Sequence, residues 1–168
     1  MERKLKIKVP SFQVKGFDLL RDLPLLAGMP LQVAYFTVLL RRHQFGDVVA
    51  LIDRSCDWNR QEDLCLTAKP DGREMAELDK VYRASTFFLK RICRSKRPCL
   101  RRALITYRWC KKQGTQAGIV IGVNKTGAEL ESHAWLVIDG KPYRENLEEL
   151  NKYTPILDSR GGKRGHDR

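Results

Sequence analysis

Two side chains in this chain have the type and setting for nucleophilic chemistry. Cys99 stands in Arg97-Pro98-Cys99-Leu100-Arg101-Arg102-Ala103-Leu104, and His133 in Ser132-His133-Ala134-Trp135-Leu136-Val137-Ile138-Asp139-Gly140. A thiol opening a helix and an imidazole on a strand are the minimal pair for thiol catalysis: the thiolate attacks, and the imidazole takes and returns its proton. Leu100, Ala103, Leu104 and Tyr107 form an apolar stripe that predicts a helix over about 98–112, with Gln113-Gly114 ending it. Cys99 then sits among unpaired N–H groups at the positive end of the helix dipole, with Arg94, Lys96, Arg97, Arg101 and Arg102 nearby in sequence. Both effects favour the thiolate, and the same N–H groups are candidate donors to an oxyanion. Taken alone, these residues fit a small buried structural cysteine equally well.

His133 heads an apolar strand, shares a strand face with Trp135, and is the one histidine in the predicted β region. A third group should orient the ring. Asp139 has the right strand parity, but six extended residues span roughly 20 Å, and Asp139-Gly140 is hairpin-turn chemistry. The returning strand, expected over Pro142 to Asn146, is better placed. A three-residue turn puts Glu145 opposite Trp135 and diagonal to His133; a two-residue turn favours Asn146. Glu145 is preferred, with Asn146 and Asp139 behind it. The sequence does not identify a second oxyanion donor, and nothing in it supports Trp58 or Gln61 in that role.

The elements that must position these groups are mostly helical before Cys99 and extended after it. Leu19, Leu20 and Leu23 suggest a short helix over 18–27, after an alternating Leu5-Lys6-Ile7-Lys8-Val9 stretch. Pro30 is expected to open a helix over 31–42, followed by helices over 45–54 and 74–93. The polar stretch 55–73, with Lys69-Pro70-Asp71-Gly72, reads as a loop. Strands are expected over 117–123 and 132–138, with a turn at Asn124-Lys125-Thr126-Gly127. The basic, glycine-containing segment from Ser159 to Arg168 is expected to be a disordered tail.

With 168 residues and 42% hydrophobic content, one domain with a real core is expected. No run of about 18 apolar residues stands out, so no membrane span is expected. The charged N-terminus has no signal-peptide pattern, which points to the cytoplasm. The five cysteines, Cys56, Cys65, Cys93, Cys99 and Cys110, form no C-x-x-C pair, and His43, His133 and His166 are scattered. Reduced thiols and no zinc site are expected, with the cysteines other than Cys99 structural. The net charge of +12 comes with no nucleic-acid-binding signature; a solvated basic surface and an anionic partner fit it equally.

The blocks Pro98-Cys99-Leu100-x-Arg102-Ala103-Leu104, Gly118-Ile119-Val120-Ile121-Gly122-Val123 and His133-Ala134-Trp135-Leu136-Val137-Ile138-Asp139-Gly140 resemble the transglutaminase-like leader peptidases of lasso-peptide biosynthesis, the stand-alone B-type maturation proteins. The similarity covers roughly residues 30–157 and is strongest from Cys99 to Glu145. It implies an α+β fold: a papain/transglutaminase-like core with a nucleophile helix on a small antiparallel sheet, preceded by a helical segment. The implied organisation is an arm over 1–29, a peptidase domain over 30–157 (helical to 93, catalytic core from 94) and a tail over 158–168. The resemblance implies a cysteine protease with Cys99 as nucleophile, His133 as base and Glu145 as acid, although the family's acid is often Asp. It implies no cofactor. Its implied partners are a ribosomally made precursor peptide, a separate leader-recognition protein and an asparagine-synthetase-like cyclase. A transglutaminase-like acyl transferase and a non-enzymatic basic binding module are the rival readings.

Overall fold

The computed structural model describes residues 22–57, 71–126 and 129–160. Helix α1 spans Leu23–Arg42, α2 Phe45–Asp57 and α3 Gly72–Phe87; α3 runs on through a π-helical turn, Phe88–Ile92. Helix α4, Cys99–Gln113, leads into strands β1, Ala117–Thr126, and β2, Glu129–Ile138. Strand β3, Lys141–Pro142, helix α5, Leu147–Leu150, and strand β4, Thr154–Asp158, complete the order. The antiparallel sheet has the order β3-β2-β1-β4, so the architecture is α+β, as expected. Cys65, Trp58 and Gln61 lie outside the described residues, as do most of the loop over 55–73, the suggested helix up to residue 21 and the tail from 161.

One sheet face packs on the helices. Ile119, Ala134, Leu136 and Ile138 join Ala103, Leu104 and Tyr107 of α4, with Phe36, Ile52 and Leu78 from the other helices, in one buried core. The opposite face carries Val120, Trp135 and Val137 under Leu150 and Tyr153. Because both faces are covered, β2 is buried without alternation from Ala134 to Ile138, while its first four residues are exposed. His133 sits at that boundary.

Several expectations change. Pro30 does not open a helix: α1 begins at Leu23 with Pro24 in its first turn, and Pro30 lies inside. An interior proline costs about 3 kcal/mol; the buried stripe Met29, Val33 and Phe36 holds the helix through it. The boundary at 29/30 therefore falls inside α1. Asp22, ahead of the helix, is buried and pairs with Lys80 of α3 at 2.8 Å. Helix α1 contains an 18-residue window of mean hydropathy 1.7, apolar and long enough to cross a membrane by length and composition, a property that core helices share. The expected loop at 55–73 is shortened at both ends, by α2 reaching Asp57 and by an Asp71–Glu74 capping box at the start of α3. Strand β1 absorbs the expected turn at Asn124–Thr126. Asp158 belongs to β4, and Ser159 exchanges hydrogen bonds with Ile119, so the tail begins later than expected.

Candidate active site

Cys99 is the first residue of α4, and Pro98 caps the helix without a side-chain acceptor. The first-turn N–H groups thus have no side-chain cap from that residue and remain available to an anion. The backbone amides of Leu100, on the helix side, and of Ala134, on β2, lie where they favour the thiolate. Strand β3 makes this possible by being short: it pairs only with Val137 and Ile138. Before Leu136 no strand among the described residues pairs with the outer edge of β2, and the start of α4 packs near it.

His133 faces Cys99 closely enough that each shifts the other's titration, and its Nε2 lies 3.1 Å from Glu145 Oε2. Glu145 takes Nε2, which leaves Nδ1 as the nitrogen for the sulfur. The His133 ring stacks on Trp135, with centroids 5.9 Å apart and planes at 20°. Tyr153 covers it at 5.5 Å. Gly122 lies directly across from His133 in the β1–β2 register. A Cβ there would come within 2.9 Å of both the Trp135 ring and Tyr153 Cβ, so the missing side chain gives these two rings room to close over the imidazole.

Glu145 reaches the site by a different route from the one expected. The hairpin turn has two residues, Asp139 and Gly140, both at positive φ (50° and 75°). By strand parity that turn favours Asn146. However, β3 ends at Pro142, and parity carries no information beyond it. The Tyr143 N–H bonds Leu136 O, and Arg144 then adopts φ 55°, outside any strand geometry. This reversal delivers Glu145 to His133. Arg144 is held by Asp79 of α3 and lies over the Tyr82 ring, while the Tyr143 ring meets Tyr82 edge-on. Asn146 instead caps α5, accepting from the Glu148 N–H, and Asp139 remains exposed in its turn. The structure therefore brings Cys99, His133 and Glu145 together and leaves Asn146 and Asp139 in structural positions.

Arg102 is a site residue that motif reading named without a role. It lies one helical turn after Cys99, reaches Glu145 Oε1 at 3.4 Å and stacks over Tyr82 at 4.6 Å. Tyr153 carried no sequence signal, because β4, which follows it, was not expected. Of the other cysteines, Cys56 and Cys110 are buried, and burial pushes the Cys110 thiol up to about 12. Cys93 is exposed just past the π turn, a correction to its expected place inside a helix. Among the described residues no group of His, Cys, Asp or Glu could hold a metal ion.

The electrostatics follow from these contacts. Burial pushes the Cys99 thiol up, but the His133 hydrogen bond, the Ala134 N–H, the His133 charge and the Leu100 N–H outweigh it and leave the thiol below its ordinary value. The bonds from Cys99 and Glu145 raise His133 to about 9, against an opposing effect of burial. Thiolate and imidazolium stabilise each other, so the ion pair persists between the lowered thiol value and about pH 9. Iodoacetamide, which reacts with the thiolate, should therefore alkylate Cys99 with a pH midpoint below that of an ordinary thiol. In His133→Ala the burial effect is left less opposed, and the midpoint should move up. Mass mapping separates Cys99 from the exposed Cys93; equal midpoints in the two proteins would refute the ion pair.

A family model described as the transglutaminase-like superfamily matches residues 48–158. No curated protein and no solved structure matches the chain. The matched segment runs from α2 to the end of β4 and so contains the nucleophile helix, the sheet and all three grouped side chains. With well over half of its residues in that match, this chain belongs to the transglutaminase-like superfamily.

Proposed function

We propose that this protein is a cysteine peptidase that removes the leader from a ribosomally made lasso-peptide precursor. The observation that supports it most is the grouping of Cys99, His133 and Glu145, with Cys99 opening α4 without a side-chain cap, His133 and Cys99 shifting each other's titration, and Glu145 3.1 Å from His133. The motif resemblance around Cys99 and His133 supplies the substrate class.

The chemistry follows from the positions. The Cys99 thiolate attacks the carbonyl carbon of the last leader residue, and backbone N–H groups at the start of α4 receive the developing oxyanion. His133, protonated, donates to the departing amine of the core peptide as the C–N bond breaks, leaving a thioester. The neutral imidazole then takes a proton from water, hydroxide attacks the thioester, and Cys99 leaves as thiolate with His133 reprotonated. Glu145 holds the ring by Nε2 throughout, while Trp135 and Tyr153 pack against the imidazole. The proposed partners are the precursor, a separate leader-recognition protein and an asparagine-synthetase-like cyclase that uses the freed amine; the proposed location is the cytoplasm.

Weighing the products after incubation with precursor and recognition partner tests the reaction. Leader and core whose masses sum to precursor plus one water are expected. A mass-conserving crosslink would replace hydrolysis by acyl transfer to an amine, which the same three side chains can perform.

A further inference from the structure

Tyr82 joins the site to a neighbouring hollow. Arg102, which bonds Glu145, lies over its ring, and so does Arg144, the residue before Glu145. Beyond the ring opens a cavity of about 330 Å³ walled by Tyr82, Arg83, Phe87, Lys90, Arg91 and Arg144. Residues 83, 87, 90 and 91 share one face of the helix that α3 forms with its π turn, and Arg144 closes the cavity from the segment after β3. A one-turn π insertion of this kind is frequent at functional sites.

The charge in this hollow is one-sided. Asp79, the carboxylate that pairs with its lining arginines, already serves both Arg83, at 2.6 Å, and Arg144. Lys90 and Arg91 are exposed and make no ion pair among the described residues. Four cations thus face one shared carboxylate, beside a Phe87 ring that is 43% exposed. Guanidinium and ammonium groups over an apolar floor suit a carboxylate on a peptide, which pairs its acid and lays its backbone and neighbouring side chains on the ring.

We propose that this hollow is a substrate subsite holding acidic side chains of the peptide being cut. The proposal rests on the peptidase reading and deepens it: the preferred peptide carries Asp or Glu within reach of Cys99. A carboxylate held by Arg144 would also brace the segment that delivers Glu145.

The test uses peptidyl acyloxymethyl ketones that alkylate Cys99, each with a tri-glutamate or a tri-lysine block joined to the reactive carbon by glycine spacers of graded length. At low salt the glutamate probe should react about tenfold faster than its lysine twin at the best spacer, and high salt should shrink the gap. In Lys90→Glu/Arg91→Glu the preference should vanish or reverse, while small, neutral iodoacetamide reacts with Cys99 at the wild-type rate. Equal rates for the two probes on wild-type protein, or a preference that survives the double substitution, would overturn the subsite and leave the activated thiol standing. Iodoacetamide alkylation of wild-type Cys99 no faster than that of a free cysteine would overturn the peptidase reading, and the subsite with it. A glutamate preference erased by inorganic phosphate, but not by chloride at equal ionic strength, would reassign the hollow to a phosphate-bearing ligand.

Discussion

Cys99→Ala is expected to leave the precursor intact, with a loss of at least about 10⁴-fold in kcat/KM. The size follows from the role: without the sulfur no thioester forms, and His133 and the α4 N–H groups have no nucleophile to serve. Cys99 occupies little core volume and is only partly buried, so the fold should survive the loss of one sulfur. Far-UV circular dichroism and thermal melting of the variant check that point. Cys99→Ser should fail comparably, because an alcohol is not ionised by this imidazole as a thiol is. Cleavage retained in Cys99→Ala would sink the peptidase reading and return the protein to the basic binding module, for which salt-sensitive binding to nucleic acid is the matching measurement.

Glu145→Gln should reduce kcat by about 10²- to 10⁴-fold, with a much smaller effect on KM. Glutamine keeps the shape but not the charge that stabilises the imidazolium. Glu145 contributes to raising His133 to about 9, so its loss lowers the pH at which the ring gives up its proton. The alkaline limb of the rate profile, which reports the imidazolium needed by the leaving amine, should therefore move to lower pH. Asp139→Asn should change kcat by less than about twofold, as expected for an exposed turn residue. A greater loss at Asp139 than at Glu145 would mean that the turn, and not the segment after β3, supplies the acid. Arg102 refines the expectation. Its guanidinium lies 3.4 Å from the other oxygen of Glu145 and helps aim that carboxylate, whereas the Tyr82 ring beneath fixes the guanidinium.

Much of this site is legible from residue order, for local reasons. The apolar stripe over Leu100–Tyr107 and the glycine at 114 define α4, and Gly114 adopts φ 81° as a helix-ending glycine does. Asp139-Gly140 forms the tight hairpin its residue types demand. These short-range signals place Cys99 at a helix start and His133 on a strand. Pro30 illustrates the reverse case: its local preference for a first turn is overridden by packing of Met29, Val33 and Phe36, which depends on residues distant in the chain. Strand β4 is of the same kind. Thr154-Pro155-Ile156-Leu157 is short, contains a proline and becomes a strand only because the free edge of β1 is there to pair with it.

The residue order by itself determined the chemical types, the helix that opens with the thiol and the strand that carries the imidazole, because each depends on neighbours within a few positions. Only the tertiary structure decided the acid. Strand parity with a two-residue turn points to Asn146, yet β3 stops at Pro142, and Asp79 and Tyr82, some sixty residues earlier in the chain, hold Arg144 in the reversal that brings Glu145 to His133. Contacts across that sequence distance leave no periodicity to read, and the same holds for Tyr153 over the imidazole and for the arginine-lined hollow beside Tyr82.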